Sequence, residues 1–122
     1  MHPKSLRLMN DFFVNNVSGM APGKILDVGS YNLNGSYREI APKGWTYTGL
    51  DQSEGPNVDI VSPGIPWPIE DETFEVVISG QCLEHSFYPV ELCREMGRVL
   101  RPGGPICLIA PWEWPVHRHP VD

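Results

Sequence analysis

The stretch ILDVGSYNLNG, residues 25–35, decides the fold. An apolar run takes in an aspartate and stops at a glycine, and a second glycine follows six residues later. The pattern is a buried strand that turns sharply at its end. Glycine there permits the turn and lets a ligand approach bare backbone. A dinucleotide site would read G-x-G-x-x-G, leaving room for a pyrophosphate against a helix N-terminus. Here Tyr31 stands where the middle glycine would be. The loop therefore suits a ligand without a phosphate.

Working outward, Lys24–Val28 is the first strand, and residues 46–50, 58–61, 74–79 and 106–110 read as four more. Residues 3–17 carry Leu6, Met9, Phe13 and Val17 on one helical stripe, closed by Ser18-Gly19. Residues 36–41 form a short helix with Tyr37 and Ile40 facing inward. Residues 89–100 form an amphipathic helix whose apolar face is Val90, Leu92, Cys93, Met96, Val99 and Leu100, followed by the turn Arg101-Pro102-Gly103-Gly104. Near-continuously apolar strands separated by helices predict a mainly parallel sheet covered on both faces, with right-handed crossovers. Ligands of such sheets bind outside the carboxyl ends of the strands, where the strand order reverses. That rule places Gly29, Asp51, Ser79 and Ala110 along one rim.

At 122 residues the chain makes one domain. It divides into an N-terminal helix and linker (1–22), a core (23–111) and a tail (112–122). The net charge of −6 disfavours nucleic acid or an anionic membrane surface as the main partner and favours a small molecule. No apolar run approaches the ~18 residues of a membrane span, and the N-terminal stretch lacks a secretory apolar region. Cys82, Cys93 and Cys107 are odd in number, form no C-x-x-C, and read as reduced buried thiols. These features together predict a cytoplasmic protein. Cys82 with His85, or His117 with His119, supplies two ligands each, too few for a structural zinc, so no metal is expected.

Two acids on this frame carry chemistry. Asp51 ends the second strand about twenty residues after the glycine turn, where a carboxylate accepts hydrogen bonds from both hydroxyls of a ribose. Asp27 lies inside the first strand, where a carboxylate is costly unless it is hydrogen-bonded. It either holds the glycine loop through backbone N–H groups or faces an ammonium group on the ligand, and the two roles are compatible.

ILDVG (residues 25–29), YTGLD (47–51), WPIEDETFEVVIS (67–79), CLEH (82–85) and LCREMGRVLRPGGPICLIAP (92–111) occur in this order. Together they resemble the successive motifs of class I S-adenosylmethionine-dependent methyltransferases of the type 11-like kind. The resemblance implies an α/β, Rossmann-like, doubly wound sheet of order 3-2-1-4-5. It implies S-adenosyl-L-methionine as cofactor and S-adenosyl-L-homocysteine as product. The cofactor has a ribose but no phosphate, as the loop requires. Its methionine part would lie against Gly29, Ser30, Tyr31 and Gly35 with Asp27 near the ammonium, and its ribose on Asp51 and Gln52. Adenine would meet Ile60 and Ile65, with Trp67 either a further face or a core plug. Ser79, Gly80 and Gln81 would line the methyl-donor pocket.

The chain departs from the family pattern in two places. Of the glycine set only Gly29 and Gly35 remain, and Pro63 stands where relatives place an acid, with Asp59 four residues upstream. For chemistry, His85 is the candidate base or else a capping residue, and His117 and His119 are substrate contacts or part of a tail. The family sheet continues with two more strands beyond the fifth, so a piece of a longer protein or a short form is expected. In either case the fifth strand would have an open edge that a second copy of the chain could cover. The leading expectation is a methyltransferase acting on a small molecule, sugar or natural-product intermediate. Alternatives are a cofactor-binding module without turnover and an NAD-dependent oxidoreductase.

Overall fold

The computed structural model describes residues 3–31, 36–80 and 89–109. Five strands form one parallel sheet in the order β3-β2-β1-β4-β5: β1 (Lys24–Val28), β2 (Thr46–Asp51), β3 (Ile60–Val61), β4 (Val76–Gly80) and β5 (Ile106–Ile109). The predicted strand order is the one observed. The order reverses between β1 and β4, which puts the switch point beside the loop after β1.

Each face of the sheet has its own apolar layer. On one side α1 (Pro3–Phe12) runs into a single π-helical turn (Phe13–Val17) and lays Met9, Phe13 and Val17 on Ile25, Tyr47, Val76 and Ile78. Ser18 closes that turn, since its N–H and its hydroxyl both donate to the Phe13 carbonyl. A 3-10 turn (Tyr37–Ile40) joins this layer through the buried Tyr37 ring, and the Tyr37 hydroxyl meets that of Ser5 in α1. On the other side α2 (Pro89–Val99) packs Met96 and Val99 on Leu26, Val28, Leu50 and Val77. Trp67 is only 5% exposed within this second layer, which makes it a core plug and not an adenine face.

Several boundaries and faces differ from the sequence expectation. β3 is shorter, because Val58 N–H turns back to the Gly55 carbonyl and Asp59 is drawn to β2. β4 starts at Val76 because Phe74 is tied to the chain around Val99 and Arg101. In α2, Val90 and Cys93 are exposed whereas Glu95 is buried. The inward turn of Glu95 has a cause: its carboxylate accepts the Trp67 N–H at 2.6 Å and pairs with Arg98 at 2.7 Å. Arg98 also donates to the Ile69 carbonyl and to Asp71, so it clamps the chain entering β4 onto α2. The buried-thiol reading fails for Cys93, which sits on the outer face of α2, while Cys107 is half-buried. Ile106 and Leu108 on β5 are exposed, and so is Leu6 on α1. No helix among the described residues is long and apolar enough to cross a membrane.

Gly49 shows how closely the loops seat on the sheet. A Cβ there would lie 2.1 Å from the Asn57 carbonyl oxygen and 2.5 Å from Ser30 Oγ. The first of these is backbone and cannot swing aside. Gly49→Ala is therefore expected to cost roughly 1–3 kcal/mol in urea unfolding; a loss below about 0.5 kcal/mol would mean that these loops float.

Candidate functional site

The site is built at the carboxyl ends of β1 and β2. Gly29 takes φ 77°, a left-handed conformation open to glycine and strained for most other residues. The turn it makes is fastened to β2 by consecutive amides. Gly29 N–H and Ser30 N–H both donate to the Leu50 carbonyl, at 2.8 and 3.0 Å. Tyr31 N–H donates to Asp51 Oδ2 at 2.8 Å, and Gln52 N–H donates to Asp51 Oδ1 at 2.7 Å. Each carboxylate oxygen of Asp51 thus has one bond to backbone and a second lone pair left over. Asp51 is half-buried and turned toward the glycine turn.

A second clamp stands behind the first. Ser30 Oγ donates to the Asn57 carbonyl at 2.6 Å, and Asn57 Nδ2 returns a bond to the Ser30 carbonyl at 3.0 Å. Asn57 adopts φ 69°, which asparagine tolerates better than most residues. Its Oδ1 accepts from Arg38 Nε at 2.9 Å. Arg38 also pairs with Asp59 at 2.6 Å and stacks on the Tyr47 ring at 4.6 Å. Asp59 in turn accepts Gly49 N–H at 2.8 Å, so it serves the scaffold.

Asp27 is 3% exposed. One of its oxygens accepts the Tyr47 hydroxyl, and Asp27 makes no other hydrogen bond among the described residues. The described part of the glycine turn, Gly29–Tyr31, is held by Leu50 and Asp51 and not by Asp27. Burial pushes the Asp27 carboxyl from 3.8 up to about 7; the Tyr47 bond and the Arg38 charge pull it back, and the Asp51 charge adds to the rise.

The remaining candidates fall into place around this centre. Tyr31 is 44% exposed, and its ring lies against Gly55 in the loop after β2. Gln52 is exposed, and Ile60 is half-buried with its side chain against the second core layer. Ile65 is exposed. Ser79 is buried and its hydroxyl donates to the Val28 carbonyl at 2.9 Å, turned into the sheet. Gly80 ends β4 with the Tyr37 hydroxyl against its α-carbon. Gly35, Gln81, His85, His117 and His119 lie outside the described residues, as do Cys82 and Ala110. The open groove lined by Asp71, Glu72, Arg98 and Arg101 sits at the opposite, amino end of the sheet.

Sequence reasoning missed Tyr47, Arg38 and Asn57. Tyr47 left a trace: it is the one aromatic side chain in the strand TYTGLD, and it carries a polar tip. Its neighbour two residues on, Gly49, pairs with Asp27 and leaves space on that face. Asn57 follows Gly55-Pro56, a turn sequence.

Comparison with known proteins bears on the family and the fold. The sequence profile of the methyltransferase domain matches residues 26–108, more than half of the chain. An uncharacterized methyltransferase of Schizosaccharomyces pombe is 44% identical over 55 residues, covering 44% of this chain and 22% of that protein. A crystal structure of a candidate S-adenosyl-L-methionine-dependent methyltransferase from Methanococcus maripaludis superposes with a TM-score of 0.64 at 20% identity. It covers 87% of this chain and 56% of that one, and at that identity it shows the fold. The chain spans about a fifth of the length of the first and about half of the second.

The buried acid has a consequence for stability. Its folded value of about 7 lies above its ordinary 3.8, so the folded chain keeps a proton that the unfolded chain releases. Stability falls as pH rises through that window and levels off above it. Asp27→Asn removes the ionisation. It is expected to raise the melting temperature of the ligand-free protein at pH 8 and leave it near wild type at pH 4; equal effects at both pH values would contradict the assignment.

Proposed function

The chain belongs to the methyltransferase-domain family of class I S-adenosylmethionine-dependent proteins, and on that footing we propose that it binds S-adenosyl-L-methionine in the cleft between the Gly29 turn and Asp51 and serves methyl transfer to a small molecule. The observation that carries the reading is the state of Asp51. Both oxygens are oriented by backbone amides, and each has one acceptor site left, which matches the two neighbouring hydroxyls of a ribose. The fit extends along the cleft. The bare Gly29 backbone in its left-handed turn admits an amino-acid moiety at close range. Tyr31 stands where a dinucleotide loop has its middle glycine, and a side chain at that position favours a phosphate-free nucleoside over a dinucleotide.

When bound, the cofactor supplies a methyl group already activated by a positive sulfur. The chain's own residues then have to position and shield. Asp51 fixes the sugar, the Gly29–Tyr31 turn fixes the amino-acid end, and the sheet behind them, covered by an apolar layer on each face, shields that side from water. The acceptor is proposed to be a small molecule because the chain carries a net charge of −6, which disfavours a polyanion.

Thermal melting tests this reading. S-adenosyl-L-homocysteine is expected to raise the melting temperature and NAD to leave it unchanged. Asp51→Ala is expected to weaken S-adenosyl-L-homocysteine at least roughly tenfold, since it removes hydrogen bonds to a charged group. An equal response to NAD, or an unaltered affinity in Asp51→Ala, would overturn it.

A further inference from the structure

Tyr47 is buried and lies outside the glycine turn, yet its hydroxyl ends on Asp27. The route it takes is set by the sheet register. Tyr47 pairs with Ile25, and Gly49 pairs with Asp27, so the position facing Asp27 on β2 has no side chain. The Tyr47 ring fills that diagonal and brings its O–H to one carboxylate oxygen. The other oxygen of Asp27 has no partner among the described residues although the residue is 97% buried. A buried carboxylate half-satisfied in this way is costly and calls for a second donor.

The groups around the pair decide which donor fits. On β2 these are Tyr47 itself and Asp51 at the strand end. The 3-10 turn supplies Arg38, stacked on the Tyr47 ring, and Tyr37, whose hydroxyl meets Ser5 of α1. Ser36, which caps that turn, reaches the Tyr47 hydroxyl. On β4 the register neighbour of Asp27 is Ile78, which is apolar. Arg38 is held on Asp59, Asn57 and the Tyr47 carbonyl, so its charge acts on Asp27 only at a distance. Burial and the Asp27 charge both raise the Tyr47 hydroxyl pKa, so Tyr47 remains a donor. The unfilled oxygen lies two residues from Gly29, where an ammonium group of the ligand would arrive.

We propose that Tyr47 is a positioning residue of the cleft: its hydroxyl fixes one oxygen of Asp27, favours the ionised form, and so prepares the other oxygen for the ammonium group of the bound amino-acid nucleoside. This rests on the cofactor reading above. Tyr47 acts through Asp27 and contacts no ligand. The consequence is a binding affinity that rises with pH as Asp27 ionises. Removing the hydroxyl deletes a bond that stabilises the charged form, and the rise moves to higher pH.

The test is S-adenosyl-L-homocysteine affinity by calorimetry from pH 6 to 8.5 for the wild type, Tyr47→Phe and Asp27→Asn. Alongside it, carbon-13 carboxyl shifts follow Asp27 in the ligand-free wild type and Tyr47→Phe. In the wild type, affinity is expected to climb through about pH 7. In Tyr47→Phe the Asp27 titration and the affinity midpoint are expected to move up together by about one pH unit. That shift corresponds to roughly fivefold weaker binding near pH 7, approaching about tenfold below it and converging on wild type as the pH rises. In Asp27→Asn the climb is expected to vanish, which keeps the inference testable even if Tyr47→Phe folds poorly. An unchanged midpoint in Tyr47→Phe, a uniform loss at every pH, or a persisting climb in Asp27→Asn overturns this inference alone. Absence of binding by the wild type at every pH overturns the cofactor reading and this inference with it.

Discussion

Three successive backbone N–H groups, those of Gly29, Ser30 and Tyr31, are all taken up by the last two residues of β2. The rest of the site depends on this docking of one strand's exit onto the end of its neighbour. It is possible only because Gly29 turns left-handed and because Gly49 leaves the surface of β2 flat. A side chain at Gly49 would press on Ser30 and Asn57, and one at Gly29 would strain its left-handed turn. Asp51 would then lose the Tyr31 amide that aims one of its oxygens. The geometry of the carboxylate is thus a property of the backbone, and it is present before any ligand arrives.

Two differently built acids flank that docking. Asp51 is half-buried, doubly anchored by amides and still able to accept more. Asp27 is deeply buried, anchored once, and held at a pKa near neutrality by desolvation. The first is suited to neutral donors such as hydroxyls. The second is stabilised most by a cation, because a cation offsets the burial that raises its pKa. Placing a destabilised acid at a binding cleft lowers the stability of the empty fold in exchange for affinity, a pattern found where sites are strained by design. Arg38 moderates the cost by lending charge from outside the core while remaining bound to Asp59 and Asn57.

The fold was legible in the sequence because its signals are local. ILDVG announces a buried strand and a glycine exit, and the β-favouring runs at Tyr47, Val76 and Ile106 announce its neighbours. Parallel order follows once helices separate them. The two rim acids were also legible, since an acid at the end of a strand and an acid within one are both out of keeping with apolar surroundings. What was not legible is what crosses the chain. Whether Trp67 served a ligand or the core depended on α2 packing over it. Glu95 lies outside the apolar face read for its helix, yet the Trp67 amide and Arg98 draw it inward. Asp27 was read as holding the glycine loop, facing an ammonium group, or both. Its true partner is Tyr47, twenty residues away and visible only in the register of β1 on β2.

A crystal structure with S-adenosyl-L-homocysteine tests the central claim most directly. The account predicts ribose hydroxyls within hydrogen-bonding distance of both Asp51 oxygens and the amino-acid end against Gly29, with the Tyr31–Asp51 bond intact. A nucleoside bound elsewhere on the sheet, or an Asp51 carboxylate swung out to solvent in the complex, would contradict it.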